Sequence, residues 1–135
     1  MRVYLDSSAV IKRVVREAES QALVDEIDEL HRQGALVVST TLAWTEVARV
    51  LRVGQDATYQ EVADGLRNAM LGVAEHPLDF EIMNLSRRVD PNRFGSFDAI
   101  HLAAAVALDA DLLITYDDRL AASALASGIP VASPA

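Results

Sequence analysis

The chain has 135 residues, 51% hydrophobic and only 5% aromatic, with no cysteine and a formal charge of −8. That length predicts one domain, residues 1–135, with an aliphatic core; the missing cysteine excludes a disulfide framework, a thiolate metal site and a cysteine nucleophile. The negative charge argues against a broad basic face for nucleic acid. No apolar run approaches the ~20 residues of a spanning helix, and Asp6 interrupts the N-terminal apolar stretch, so a cytoplasmic protein with no membrane partner is expected.

Residues 2–6 read as a short buried strand. Helical pattern follows over 9–17 and 19–32, where Ala22, Leu23, Ile27 and Leu30 share one face and Gly34 is the stop. Residues 36–39 form a second strand, and 41–53 a helix stopped by Gly54. Another helix spans 58–71, a brief extended segment 76–78, and a helix 80–89. Residues 90–95 are loop by composition. A strongly apolar helix covers 96–108, then a strand 112–115, a helix 118–127 and a last short strand 129–132. Short apolar strands separated by helices pair in parallel with helices on both faces, an α/β fold in three α/β/α layers around a short parallel sheet. Ligands in such sheets bind at the carboxyl ends of the strands. Asp6 ends the first strand and Asp117 lies just beyond the strand ending at Thr115, so both should point into one crevice.

Four acids sit against apolar or small neighbours, where a charge is costly: Asp6 in VYLDSSAV, Glu46 in TLAWTEVARVL, Asp98 in GSFDAIHLAAAVAL and Asp117 in LLITYDDRL. Each has a structural alternative. Asp6 is also placed to cap the helix starting near Ala9, a role open to Ser7 or Ser8. Glu46 borders the apolar stripe of Leu42, Val47, Val50 and Leu51, within reach of Arg49 or Arg52. Asp98 lies in a first helical turn, favoured by the helix dipole, with Ser96 as a cap. Yet the helix that follows reads as buried nearly all round, and an anion at its start calls for a cation. Asp118 is better placed than Asp117 to cap the last helix, although the reverse assignment stays open. His101, one turn beyond Asp98, reads as a core histidine bonded to a backbone carbonyl, His31 and His76 as surface residues, and Trp44 as packing.

Taken together, several carboxylates with no cysteine and few histidines match a hard oxygen-ligand site for Mg²⁺, with Mn²⁺ as substitute. Phosphodiester cleavage builds charge on a phosphate that already carries one. Divalent ions offset that charge and activate water. Attack by water expels the 3′ oxygen and leaves 5′-phosphate and 3′-hydroxyl ends, whereas cyclising ribonucleases need acid–base groups near neutral pKa.

The stretches YLDSSAVIKRVVRE, TTLAWTEVARVL and GSFDAIHLAAAVALDADLLITYDDRLAASALASGIPV, in that order, resemble the PIN-domain family and, within it, the VapC-type toxins of toxin–antitoxin modules. The resemblance spans nearly the whole chain. It implies a PIN-like fold, a Mg²⁺- or Mn²⁺-dependent endoribonuclease acting on RNA, a cognate antitoxin partner and a homodimer. The family's acids fall on Asp6, Glu46, Asp98 and Asp117, its strand-end hydroxyl on Thr115, and the serine after the first acid on Ser7. Asp6 and Asp98 are the expected metal ligands, with Glu46 and Asp117 completing the set. Residues 103–105 are all alanine where a hydroxyl is common, and residues 54–89 match only in general character, so the resemblance carries the chemistry and leaves the RNA target open. A phosphoacceptor receiver domain needs an acidic pair after the first strand and a late lysine; here Ser7 and Ser8 follow Asp6, and Lys12 is the sole lysine. A haloacid-dehalogenase-like phosphatase needs an aspartate where Ser8 stands. A non-catalytic PIN-like binding module would have no use for all four acids.

Overall fold

Five short strands pair in parallel in the order β3-β2-β1-β4-β5. The computed structural model describes residues 1–92 and 94–135; Arg93, within the loop expected at 90–95, lies outside them. In chain order the elements are β1 (Arg2–Leu5), α1 (Ser7–Ile11), α2 (Ser20–Arg32), β2 (Leu36–Thr40), α3 (Thr41–Arg49), a π-helical turn (Val50–Gly54), α4 (Tyr59–Ala69), β3 (Ala74–His76), α5 (Phe80–Ser86), α6 (Ser96–Ala107), β4 (Leu112–Ile114), α7 (Asp118–Ala126) and β5 (Val131–Ala132). The expected α/β/α layering is present.

Strand β1 is the centre of the sheet. Tyr4 pairs in register with Val38 of β2 and Leu113 of β4, and Leu5 with Ile114. Val3 and Leu5 enter one core with Val37, Ile114 and apolar residues of α1–α4, among them Leu23, Ile27 and Val47. Tyr4, Val38 and Leu113 enter the other, with Ile82, Leu102, Leu120 and the alanines of α6. Because both faces are covered, the strand reads as a continuous apolar run rather than an alternating one.

The chain lays down β1, β2 and β3 in one direction, then returns to place β4 on the other side of β1. The β1/β4 junction is thus the point where strand order reverses, and ligand crevices open outside the strand ends at such points. Residues 6 and 115–117 follow these two strands directly.

Several boundaries moved for identifiable reasons. Helix α1 begins at Ser7 because Asp6 caps it, and it ends at Ile11 instead of continuing to 17; in the turn that follows, Lys12 binds Glu17 and Glu19. The helix expected over 41–53 is α-helical only to Arg49 and then widens into the π turn. Leu51 in that turn is buried, and a β-carbon on Gly65 of α4 would come within 2.8 Å of its Cδ1. Strand β3 ends at His76, which pairs with Thr40, because Pro77 has no N–H to extend the ladder. Helix α4 carries a full capping box between Thr58 and Glu61. Helix α6 is buried from Ala99 through Ala105. Its alanines are small enough for α5 to pack closely along it. Among the described residues no helix is long and apolar enough to cross a membrane.

Candidate active site

Asp6 is both the helix cap and the innermost acid. It is only 3% exposed. Its Oδ1 accepts from the Ser8 hydroxyl at 2.7 Å and the Ala9 backbone N–H at 3.1 Å, and its Oδ2 from the Thr115 hydroxyl at 2.7 Å. Burial pushes this carboxyl above the usual carboxylate range, against the pull of the Ser8 and Thr115 hydroxyls. The hydroxyl that reaches Asp6 from α1 belongs to Ser8; Ser7 makes no hydrogen bond to it among the described residues. Ser8 also accepts from the Tyr116 N–H at 2.9 Å and so ties α1 to the end of β4. Spacing along the chain does not separate Ser7 from Ser8. Only the helix phase set by the Asp6 cap does.

Thr115 is fully buried. Besides donating to Asp6, its Oγ1 accepts from the backbone N–H of Asp117 at 3.0 Å. One threonine therefore fixes both acids at the β1/β4 junction. Asp117, not Asp118, caps α7, with its Oδ1 accepting from the Leu120 N–H at 2.9 Å. The expectation that Asp118 would take the cap is corrected. The half-buried Asp117 still faces the crevice, while Asp118 is exposed.

Glu46 projects from the second turn of α3. Its partner is neither Arg49 nor Arg52: its Oε1 accepts from His101 Nε2 at 2.7 Å. His101 is buried, as expected of a core histidine, but its other ring nitrogen meets the Tyr4 hydroxyl at 2.7 Å, not a backbone carbonyl. His31 and His76 are half-buried, against Gly72 O and Asp79 respectively. Trp44 packs against the α1–α4 core.

Asp98 stands in the first turn of α6 beside Glu46. Gly95, not Ser96, is the N-cap, and it makes no side-chain cap bond. Glu46, Gly95, Ser96, Phe97 and Asp98 line an open cavity of about 530 Å³. Phe97 is 58% exposed at its rim. A larger hollow of about 590 Å³ lies at the other end of α6, lined by residues such as Leu85, Val106 and Ala122, away from the strand ends and the acid set.

The acids act on one another. Burial raises the Asp98 carboxyl above its ordinary range, the negative charges of Asp117, Asp6 and Glu46 raise it further, and His101 opposes them. Glu46 and Asp98 share the cavity wall, and Thr115 links Asp6 to Asp117 at the β1/β4 junction. Among the described residues no three Asp, Glu or His side chains are arranged to enclose an ion directly. The donor set nevertheless fits Mg²⁺ or Mn²⁺. It is all hard oxygen and carries uncompensated negative charge, and Mg²⁺ is usually held by one or two carboxylates with the rest of its shell as water. The oxygens open to such an ion on the cavity wall are those of Glu46 and Asp98, and the ligands expected from the sequence are Asp6 and Asp98.

An acid set at the switch point of a five-stranded parallel sheet between two helical layers defines an α/β domain with an anionic centre, and the chain belongs to the PIN-domain family, whose model matches residues 3–126. Among its relatives is ribonuclease VapC46 of Mycobacterium tuberculosis, 37% identical over 135 residues, which cover 98% of this chain and 97% of that protein. The fold is shared with the crystal structure of VapBC2 from Rickettsia felis bound to a DNA fragment from their promoter, with a TM-score of 0.79 at 9% identity over 100% of both chains. It is also shared with Mycobacterium tuberculosis VapC20, a sarcin–ricin-loop-cleaving toxin, with a TM-score of 0.66 at 12% identity over 90% of this chain and 94% of that one.

Proposed function

We propose that the chain is a single-domain, metal-dependent endoribonuclease, the toxin of a toxin–antitoxin pair. The observation that carries the reading is the pairing of Glu46 with Asp98 on one cavity wall and of Asp6 with Asp117 through Thr115, in a chain related to a VapC ribonuclease. Mg²⁺, or Mn²⁺ in its place, supplies charge neutralisation at the scissile phosphate and an activated water. The chain's own residues do the rest. Ser8, Thr115 and the Ala9 N–H hold Asp6 in one orientation, so it loses no conformational freedom on binding. Glu46 and Asp98 line the cavity that admits the strand. Phe97 at its rim offers a face on which an unpaired base stacks. Among the described residues His101 has both nitrogens engaged by Tyr4 and Glu46, which leaves it without a free nitrogen for the acid–base work of a cyclising mechanism.

The acidic crevice also supports a cognate antitoxin that enters it with an arginine and competes with metal and RNA. Bidentate pairing makes arginine the natural partner of carboxylates. The fold shared with the VapBC2 structure supports such a partner, and the resemblance to VapC-type toxins implies a homodimer. The test is cleavage of cellular RNA by purified protein. EDTA should stop it, added Mg²⁺ or Mn²⁺ should restore it, Asp6→Asn should abolish it, and the fragments should carry 5′-phosphates. Cyclic phosphate as the main product, or full activity in EDTA, would overturn the mechanism.

A further inference from the structure

We propose that His101 is a positioning residue for Glu46, holding its carboxylate at the crevice through a Tyr4–His101–Glu46 chain of hydrogen bonds. The inference rests on the metal-dependent reading above. Three acids of the crevice are restrained, each in a different way. Asp6 has three donors and Asp117 has the Leu120 N–H. Glu46 has a longer side chain with more torsions to freeze, and the restraint it finds among the described residues is His101 Nε2 at 2.7 Å.

An ionised carboxylate only accepts, so the ring nitrogen facing Glu46 is the one that carries hydrogen. The opposite nitrogen lies 2.7 Å from the hydroxyl of Tyr4, a residue with no exposed surface, and that hydroxyl is itself 3.3 Å from Thr40 Oγ1. A phenol hydroxyl both donates and accepts, so it can bond that nitrogen and Thr40 at once. The imidazole is thus fixed at both ends and cannot flip without breaking both bonds. The chain joins β1, α6 and α3 across sequence separations of 97 and 55 residues. Helix α6 supplies Asp98 and, one turn later, the clamp on Glu46.

Position 101 is flanked by buried Ile100, Leu102 and Ala103–Ala105, a setting in which an aliphatic side chain would pack without the desolvation cost of an imidazole. A packing role alone gives no reason for a histidine there. Outer partners that orient metal-binding side chains are worth about 10–100-fold in metal affinity.

The test is Mn²⁺ binding to metal-free protein, followed by the loss of the free-ion electron paramagnetic resonance signal, with no substrate present. His101→Leu should weaken binding about tenfold. His101→Gln, whose amide can donate to Glu46, should recover most of it. Tyr4→Phe should weaken it in the same direction by less, and this variant carries the test if His101→Leu does not fold. In ¹⁵N-labelled protein the His101 ring N–H resonance should shift in Glu46→Ala. Wild-type Mn²⁺ affinity in folded His101→Leu or, if that variant does not fold, in Tyr4→Phe would overturn the inference, as would equal losses in His101→Leu and His101→Gln. Asp98→Asn separates the two levels. If it loses Mn²⁺ while His101→Leu keeps it, only the positioning role fails; if both bind as wild type, the metal reading fails with it.

Discussion

Replacing Thr115 by valine tests how the β1/β4 junction is held. The two side chains have nearly the same shape, so the change removes one hydroxyl and leaves the packing in place. Three bonds go: the 2.7 Å donation to Asp6 Oδ2, the 3.0 Å acceptance from the Asp117 N–H and a long 3.4 Å bond with the Ser8 hydroxyl. A hydrogen bond to a charged group is worth about 1.5–3 kcal/mol, and the Asp117 N–H is near enough to solvent to recover much of its loss, so the expected cost near neutral pH is about 2–3 kcal/mol. With an unfolding entropy of ~2.1 cal/mol/K per residue, a chain of 135 residues loses roughly 7–11 °C in Tm.

The cost should depend on pH with a definite sign. The folded-state pKa of Asp6 is already raised by burial, and losing the Thr115 donor raises it further. A carboxyl raised in the folded state favours folding below its unfolded pKa, and that contribution is lost as pH rises through the folded value. The penalty of Thr115→Val should therefore be small at pH 4 and grow toward pH 8. Urea denaturation of both proteins in EDTA, across that range, measures it. A penalty that is flat with pH, or below about 0.5 kcal/mol at pH 8, would refute the assignment of Thr115 as a donor that favours the ionised form of Asp6.

Other outcomes follow from the same geometry. Asp98→Asn removes a carboxyl whose folded pKa is raised by burial and by its acidic neighbours, so metal-free thermal melts should shift in the variant's favour as pH rises from 4 to 8, and added Mg²⁺ should stabilise the wild type alone. Phe97→Ala should raise KM for RNA by roughly 5–150-fold, from the ~1–3 kcal/mol of one stacked base, with kcat changed little; steady-state cleavage of a short RNA measures the split. Gly72 has φ +77, and a β-carbon there would come 2.8 Å from His31 Cε1, so Gly72→Ala should cost about 1–2 kcal/mol in denaturant titrations without altering Mn²⁺ binding.

What was legible in the sequence was whatever a few neighbouring residues decide. The run Val3-Tyr4-Leu5 and the apolar stretch from Ala99 to Ala105 announce a strand and a helix covered on both sides, and they are buried throughout. Strand–helix alternation fixed the parallel sheet, and the strand-end rule put Asp6 and Asp117 in one crevice. The four acids stood out because each interrupts apolar sequence, where a charge needs a reason.

Tertiary packing decided which of two near-equal neighbours does the work. Ser7 and Ser8 are indistinguishable by type, and so are Asp117 and Asp118. One residue changes the direction of a helical side chain by about 100°, and the caps at Asp6 and Asp117 set that phase. The change from α to π geometry after Arg49 accompanies the seating of Leu51 against Gly65 of α4, a contact with no local signature. The partner of Glu46 was beyond local reading for the same reason. Arg49 and Arg52 lie near it in sequence, while His101 is 55 residues away and arrives only when α6 docks beside α3. Burial then makes that choice, because a buried imidazole needs both nitrogens bonded while surface arginines are satisfied by water.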